Sequence, residues 1–215
     1  MEGRGVATMN KTGYDVIVGC EYSGRTREAL RAVGLNAVSI DLEPAEDESI
    51  HHIQGDLTEF LQMPWDLGIF HPPCTYLANS GVRWLTTDAS RWPKLFEAAE
   101  FFLACLNANA PRVAVENPVM HKYGRQLVGR VHDFTVQPWQ FGDNETKRTC
   151  FWTRGLQPLR PTSDLDGSTA EARVHRLPPG PNRWKERSRT PQGLADAIAG
   201  QWGKGDLLTL MEAAE

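Results

Sequence analysis

The chain has 215 residues, 40% of them hydrophobic, with seven tryptophans, which suffices for one domain with a substantial core or one domain with a small appendage. A formal net charge of −4 excludes a uniformly basic nucleic-acid binder, and four widely spaced cysteines exclude a disulfide scaffold or paired zinc spacing and fit a reducing compartment. No apolar run reaches the roughly 18 residues of a membrane span and none resembles a secretory segment, so the expected location is cytoplasmic.

Residues 1–13 lack periodicity and are expected to form a flexible N-terminus. From Tyr14, DVIVG (15–19) reads as a strand, and CEYSGRTREALRAVG turns into a helix with Ala29, Leu30 and Val33 inward. Ser23 and Gly24 fall at the turn between them, where backbone N–H groups and a helix N-terminus form a seat for an anion. NAVSI (36–40) reads as a second strand ending at Asp41, about 20 residues past the turn, the spacing at which Rossmann-like domains hold ribose hydroxyls. The alternative is an acid in a solvated loop, because Glu43, Glu46, Asp47 and Glu48 follow. His51 and His52 have no convincing ligand partners, and no metal is expected.

The apolar run Leu67–Phe70 reads as a buried strand that stops at Pro72 and Pro73. The prolines fix their own φ and keep the preceding residue extended, which presents Cys74 at the strand's carboxyl end. TYLANSGVRWLTTDASRW then runs 18 residues before the next helix, a length at which loops are functional or disordered. From Pro93, PKLFEAAEFFLACLNA is amphipathic, with Leu95, Phe96, Ala99, Phe102, Leu103 and Leu106 inward and Cys105 in the core. RVAVENP (112–118) repeats the strand-to-proline pattern and carries Glu116 and Asn117. MHKYGRQLVGR suggests a short helix bearing Lys122 and Arg125, FTVQPWQFG a strand and turn, and TCFWT, after Lys147 and Arg148, another strand with Cys150 buried. Residues 155–190 are Pro- and Arg-rich; TPQGLADAIAGQWG reads as a helix with Leu194, Ala197 and Ile198 inward, and GDLLTLMEAAE as its extension.

Charge is distributed unevenly along this order. Residues 41–59 hold seven acids and no Lys or Arg, whereas 147–189 hold ten Lys or Arg against four acids. A local basic stretch binds phosphates even on an acidic protein; an ordinary solvated loop is the other reading.

If the two proline-terminated runs are neighbouring parallel strands, Cys74 and Glu116 emerge at one edge of the sheet within reach of a small planar ligand. A thiol and a carboxylic acid there suit activation of cytosine. Thiolate addition to carbon 6, with an acid on ring nitrogen 3, makes carbon 5 an enamine nucleophile.

HPPC followed by ENP resembles the proline-cysteine and glutamate-asparagine motifs of the DNA cytosine carbon-5 methyltransferases, and the likeness is to small phage-type members. The resemblance implies a Rossmann-like S-adenosylmethionine-dependent methyltransferase fold, α/β with a doubly wound, mostly parallel sheet. It implies Cys74 as nucleophile, Glu116 as ring-nitrogen acid, Asn117 as the residue orienting the loop and Arg148 as a stabiliser of ring and phosphate. S-adenosylmethionine would be held by Glu21, Tyr22, Ser23, Gly24, Asp41, Leu42, Asp56, Leu57 and Pro72, with Gly55-Asp56-Leu57 matching the adenine-contacting motif. The 18-residue loop resembles the family's catalytic loop, with Asn79, Ser80 and Gly81 as flexible points and Arg83 and Trp84 closing on an extruded base. Trp84 as a hydrophobic anchor is the alternative.

The implied substrate is DNA, as a duplex with a flipped cytosine or a single strand, and Lys147, Arg183, Lys185 and Arg187 would contact it. The expected organisation is a catalytic core over 14–154, a short basic loop region over 155–190 in place of a target-recognition domain, and a C-terminal helical segment over 191–215 packed on the core. Some 35 loop residues are few for reading bases, so specificity is expected to be low. The chain is expected to act as a monomer or weak dimer, in a host cytoplasm if phage-encoded. Other readings remain open: a free cytosine nucleotide as substrate, transfer of a group bulkier than methyl, or an inactive protein binding S-adenosylmethionine or nucleic acid. Thr75 and Pro118, where the family has glutamine and a small aliphatic residue, favour the last; Cys74 and Glu116 argue against it. An exocyclic-amino methyltransferase is discounted because His71 and Cys74 replace its acceptor and stacking ring.

Overall fold

The computed structural model describes residues 12–181 and 183–203. Residues 1–11 of the expected flexible terminus, and the expected helical extension over 205–215, lie outside the described residues.

Seven strands form one sheet: β1 (Val16–Gly19), β2 (Ala37–Asp41), β3 (His52–Gln54), β4 (Leu67–Phe70), β5 (Arg112–Asn117), β6 (Phe134–Val136) and β7 (Thr149–Arg154). Their order is β3-β2-β1-β4-β5-β7-β6. The first five run parallel, and β7 is antiparallel to both β5 and β6. β1 and β4 are buried at every position, which is why they read as unbroken apolar runs rather than alternating ones.

Both faces are covered. Ile17, Val38, Ile40, Phe70, Val113, Val115 and Trp152 point to one side, where α3 (Arg91–Leu106) packs with Leu95, Ala99 and Phe102. Val16, Val18, Leu67, Ile69, Ala114 and Phe151 point to the other, where α1 (Arg25–Ala32) and α7 (Gln192–Ile198) supply Ala29, Leu30, Leu194 and Ile198. Each large side chain so enclosed contributes roughly 1.5–3 kcal/mol. Two short helices, α2 (Trp84–Thr87) and α4 (Lys122–Val128), precede and follow the α3–β5 unit, and α5 (Arg173–Arg176) and α6 (Arg183–Ser188) lie in the basic region.

Several local expectations are corrected. α3 begins at Arg91 rather than Pro93, Phe96 is 48% exposed and Leu103 only half-buried, while Cys105 lies in the core as expected. Helical periodicity alone does not decide which edge of a broad apolar stripe the sheet covers. Val33 is the C-cap residue of α1 and only half-buried. The segment after Cys74 is not one long loop. Leu77 and Ala78 N–H groups donate to the Cys74 carbonyl, a 3-10 turn spans Asn79–Gly81, and α2 follows. Leu77 and Leu85 are its buried anchors, whereas Trp84 is 47% exposed with Arg83 stacked 4.6 Å from its ring, so the anchor reading of Trp84 falls. Residues 155–190 are not wholly loop, since they contain α5 and α6.

Candidate active site

The switch point, where the chain reverses its direction of travel across the sheet, lies at the carboxyl ends of β1 and β4. β1 ends in Gly19. Cys20 follows with φ of 57°, a left-handed conformation that costs a non-glycine residue about 1–2 kcal/mol. That bend turns Glu21 inward, where it is 3% exposed. Its two carboxylate oxygens accept from the N–H groups of Thr26 (2.6 Å) and Arg27 (3.1 Å). The start of α1 is therefore satisfied by the chain's own acid, and the seat expected there for a ligand carboxylate is already filled. Gly24, at φ 72°, makes the turn into α1, and a Cβ there would collide with the Arg27 guanidinium.

Arg27 was invisible as a core residue in the sequence, yet it is 0% exposed. Its guanidinium donates to Ser39 Oγ (2.7 Å), to Glu28 Oε1 (2.8 Å) and to Asp47. Ser39 also pairs with His52 Nδ1 (2.8 Å), so α1, β2, β3 and the acidic loop share one network. At the tip of β2, Asp41 Oδ1 accepts from Glu43 N, and burial pushes its carboxyl up from the usual range. The Gly55 N–H donates to the Asp41 carbonyl, bringing exposed Asp56 beside the edge that carries Leu42, which is 72% exposed. An exposed apolar side chain between two acids fits the adenosine end of a nucleoside cofactor. The remaining candidates lie deeper. Leu57 packs in the core against Gly19, Ser23 is buried, and the Pro72 carbonyl accepts from Asn117 Nδ2 at 3.1 Å.

β4 and β5 pair in register, Phe70 with Val115, so His71 stands beside Glu116. His71 Nδ1 lies 3.3 Å from Glu116 Oε2. Cys74 is three residues further along the same edge. Burial raises its thiol pKa above the ordinary value, the negative charge of Glu116 raises it further, and Arg187 and Lys147 pull it back. Burial also pushes the Glu116 carboxyl up, but the His71 hydrogen bond and the charges of Lys147 and His71 outweigh it and leave the carboxyl below its usual value. Cys74 and Glu116 thus feel each other, and the charge of Lys147, whose Nζ donates to the Arg189 carbonyl at 3.2 Å, lowers both. Arg148 is exposed, and its charge acts on Cys150 instead. Asn117 is 1% exposed, with Oδ1 lacking a partner.

The loop carrying Asn79, Ser80, Arg83 and Trp84 is tied to the segment after β5. Ala78 bridges Met120, Asn79 N–H donates to the Val119 carbonyl, and His121 Nε2 lies 2.8 Å from the Tyr76 carbonyl. Asn79, Ser80, Arg83 and Trp84 are all exposed on it.

The basic region lies against Tyr22 and the acidic loop after β2. Tyr22 O–H donates to the Lys185 carbonyl (2.7 Å), and Trp184 sits 5.9 Å from the Tyr22 ring. Lys185 Nζ is 3.3 Å from Glu43, and Arg189 pairs with Glu46 and Glu186. Two of the cations are therefore engaged with acids of the chain, the charge of Arg187 acts on the Cys74 thiol, and Arg183 Nε is buried without a partner. Next to Lys147, a cleft of about 70 Å³ is walled by Arg25, Arg173, Arg189, Glu145 and Glu186, a surplus of positive charge.

The strand order, with β7 inserted antiparallel between β5 and β6, decides the class. The fold is Rossmann-like and of the methyltransferase type. No family model matches the chain, and no curated protein matches it. Solved structures that align with it include a putative DNA modification methyltransferase encoded within a prophage (E. coli), at 18% identity and TM-score 0.43, covering 65% of this chain and 46% of that one. The Entamoeba histolytica methyltransferase EhMeth aligns at 14% identity and TM-score 0.41, covering 78% and 60%, and the S. pombe Dnmt2 methyltransferase at 14% and 0.38, covering 66% and 49%. The chain spans between 46% and 60% of the length of these structures. Among the described residues no cluster of His, Cys, Asp and Glu is arranged to hold a metal, and no helix is long and apolar enough to cross a membrane.

Proposed function

We propose that the protein is an S-adenosylmethionine-dependent methyltransferase acting on carbon 5 of cytosine in DNA. The observation that carries this reading is the convergence of Cys74 and Glu116 from adjacent parallel strands at the switch point of a methyltransferase-type sheet, with the charge of Lys147 acting on both. Cys74, once its thiol proton is lost to solvent, adds as the thiolate to carbon 6 of the pyrimidine while Glu116 gives a proton to nitrogen 3, and carbon 5 becomes nucleophilic. Asn117, bonded to the Pro72 carbonyl, holds the segment that presents the thiol. When bound, S-adenosylmethionine supplies the electrophilic methyl; Asp41, Leu42 and Asp56 would hold its adenosine end. Arg83 and Trp84, exposed on the loop beyond Cys74, fill the place of an extruded base.

The small size of the region after β7 supports low sequence specificity. The pairing of Lys185 with Glu43 and of Arg189 with Glu46 takes cations away from a duplex and favours a second substrate, a free cytosine nucleotide. Incubation with labelled cofactor and, in parallel, DNA, dCMP and dCTP separates the two substrates. A covalent complex with 5-fluorocytosine DNA, formed by the wild type and not by Cys74→Ala, is the expected result. Absence of both label transfer and covalent complex in every arm refutes the reading.

A further inference from the structure

His71 occupies a position that the mechanism above does not use. Its backbone N–H donates to the Gly19 carbonyl at 2.9 Å, which makes it the last rung of β4 against β1, and Pro72 and Pro73 fix the chain beyond it. Its side chain is 7% exposed, faces Glu116, and brings Nδ1 within 3.3 Å of Oε2. Nε2 is buried and has no hydrogen-bond partner. A carboxylate oxygen only accepts, so the contact with Oε2 requires the ring proton to sit on Nδ1, which donates to it.

Resting on the cytosine reading, we propose that His71 is a positioning residue for Glu116, holding Oε2 as an acceptor so that Oε1 is the oxygen left to take up a proton and pass it to ring nitrogen 3. A carboxyl with one oxygen engaged by a donor can carry its proton only on the other, and it cannot rotate freely. As Cys74 Sγ forms its bond to carbon 6, the ring electron pair moves to nitrogen 3. The N3–H bond forms and the Oε1–H bond breaks. Negative charge then grows on the carboxylate, and the Nδ1–H donor strengthens as it does, so His71 stabilises the addition more than the ground state. After methyl transfer, loss of the carbon-5 proton to solvent re-forms the 5,6 double bond, the carbon 6–Sγ bond breaks to release Cys74 as thiolate, and the nitrogen-3 proton returns to Oε1. The other titratable groups around this carboxyl are Lys147, which precedes β7, Cys150 on β7 and the Cys74 thiol; the charge of Arg187 on α6 acts on Cys74.

The test compares wild type, His71→Asn and His71→Ala. The asparagine amide keeps an N–H donor near the place of Nδ1 without an imidazole's titration. With 5-fluorocytosine DNA and single-turnover transfer, His71→Ala is expected to lose about 100-fold in rate with little change in KM, as for removal of one preorganised donor, and His71→Asn to recover most of it. The alkaline limb of the rate profile reports loss of the Glu116 proton. It moves up in His71→Ala, which lacks the donor that favours the carboxylate, and stays near the wild-type position in His71→Asn. Alanine and wild-type enzymes with equal rates and superimposed limbs overturn the proposal, as does an asparagine variant as impaired as the alanine one; if the alanine variant fails to fold, the asparagine arm decides. Should the wild type neither transfer nor trap, the cytosine reading fails on its own. Carbon-13 titration of the Glu116 carboxyl in the free proteins then still reads the pair: an upward move in His71→Ala and none in His71→Asn supports it, and no move in the alanine variant overturns it.

Discussion

Replacing Glu21 separates its two possible roles, helix cap and cofactor ligand. Both of its oxygens are engaged by the first N–H groups of α1 inside the protein. A hydrogen bond to a charged group contributes about 1.5–3 kcal/mol, and the two share one carboxylate and one helix end. Glu21→Ala is therefore expected to cost about 3 kcal/mol, with Glu21→Gln, which keeps one carbonyl acceptor, near 1 kcal/mol. For a chain of this size each kcal/mol lowers Tm by about 2–4 °C, which predicts drops of roughly 6–12 °C and 2–4 °C. Urea unfolding at constant m and a thermal scan measure both. An alanine variant as stable as wild type, but with cofactor affinity reduced tenfold, refutes the capping argument and makes Glu21 a ligand.

Two further outcomes follow from the same geometry. Arg27→Met leaves volume filled but removes the shared donor; Asp47 and Glu28, 36% and 51% exposed, regain water and Ser39 keeps His52, so the cost falls at about 2–3 kcal/mol, below that of breaking a fully buried pair. A double-mutant cycle with Asp47→Ala checks this, and a coupling near zero counts against the network. The Cys74 thiol, raised by burial and then by Glu116, is expected to reach its half-maximal rate with iodoacetamide at a higher pH than an ordinary thiol; Glu116→Gln shifts the curve down and Lys147→Met shifts it up. A wild-type half-maximal rate below about pH 8 contradicts that electrostatic picture.

The alternation of short apolar runs with amphipathic stretches, and the proline stops after Phe70 and Asn117, are local properties, and they placed β1, β4, β5, α3 and the two chemical groups at strand ends before any coordinates. β2 and β7 emerged likewise, because β-branched and aromatic runs bounded by turns need no distant partner to be recognised. What the tertiary structure decided were partnerships across long separations. Arg27 is buried because Ser39 and Asp47 meet it there, Lys185 faces Glu43 rather than solvent because α6 folds back over Tyr22, and the charge of Lys147 rather than that of Arg148 acts on Glu116. Alternation along a strand says which residues share a face, but not which acid a cation will find. That choice is made only when register and packing bring remote segments together, as they do for His71 and Glu116, 45 residues apart in the chain.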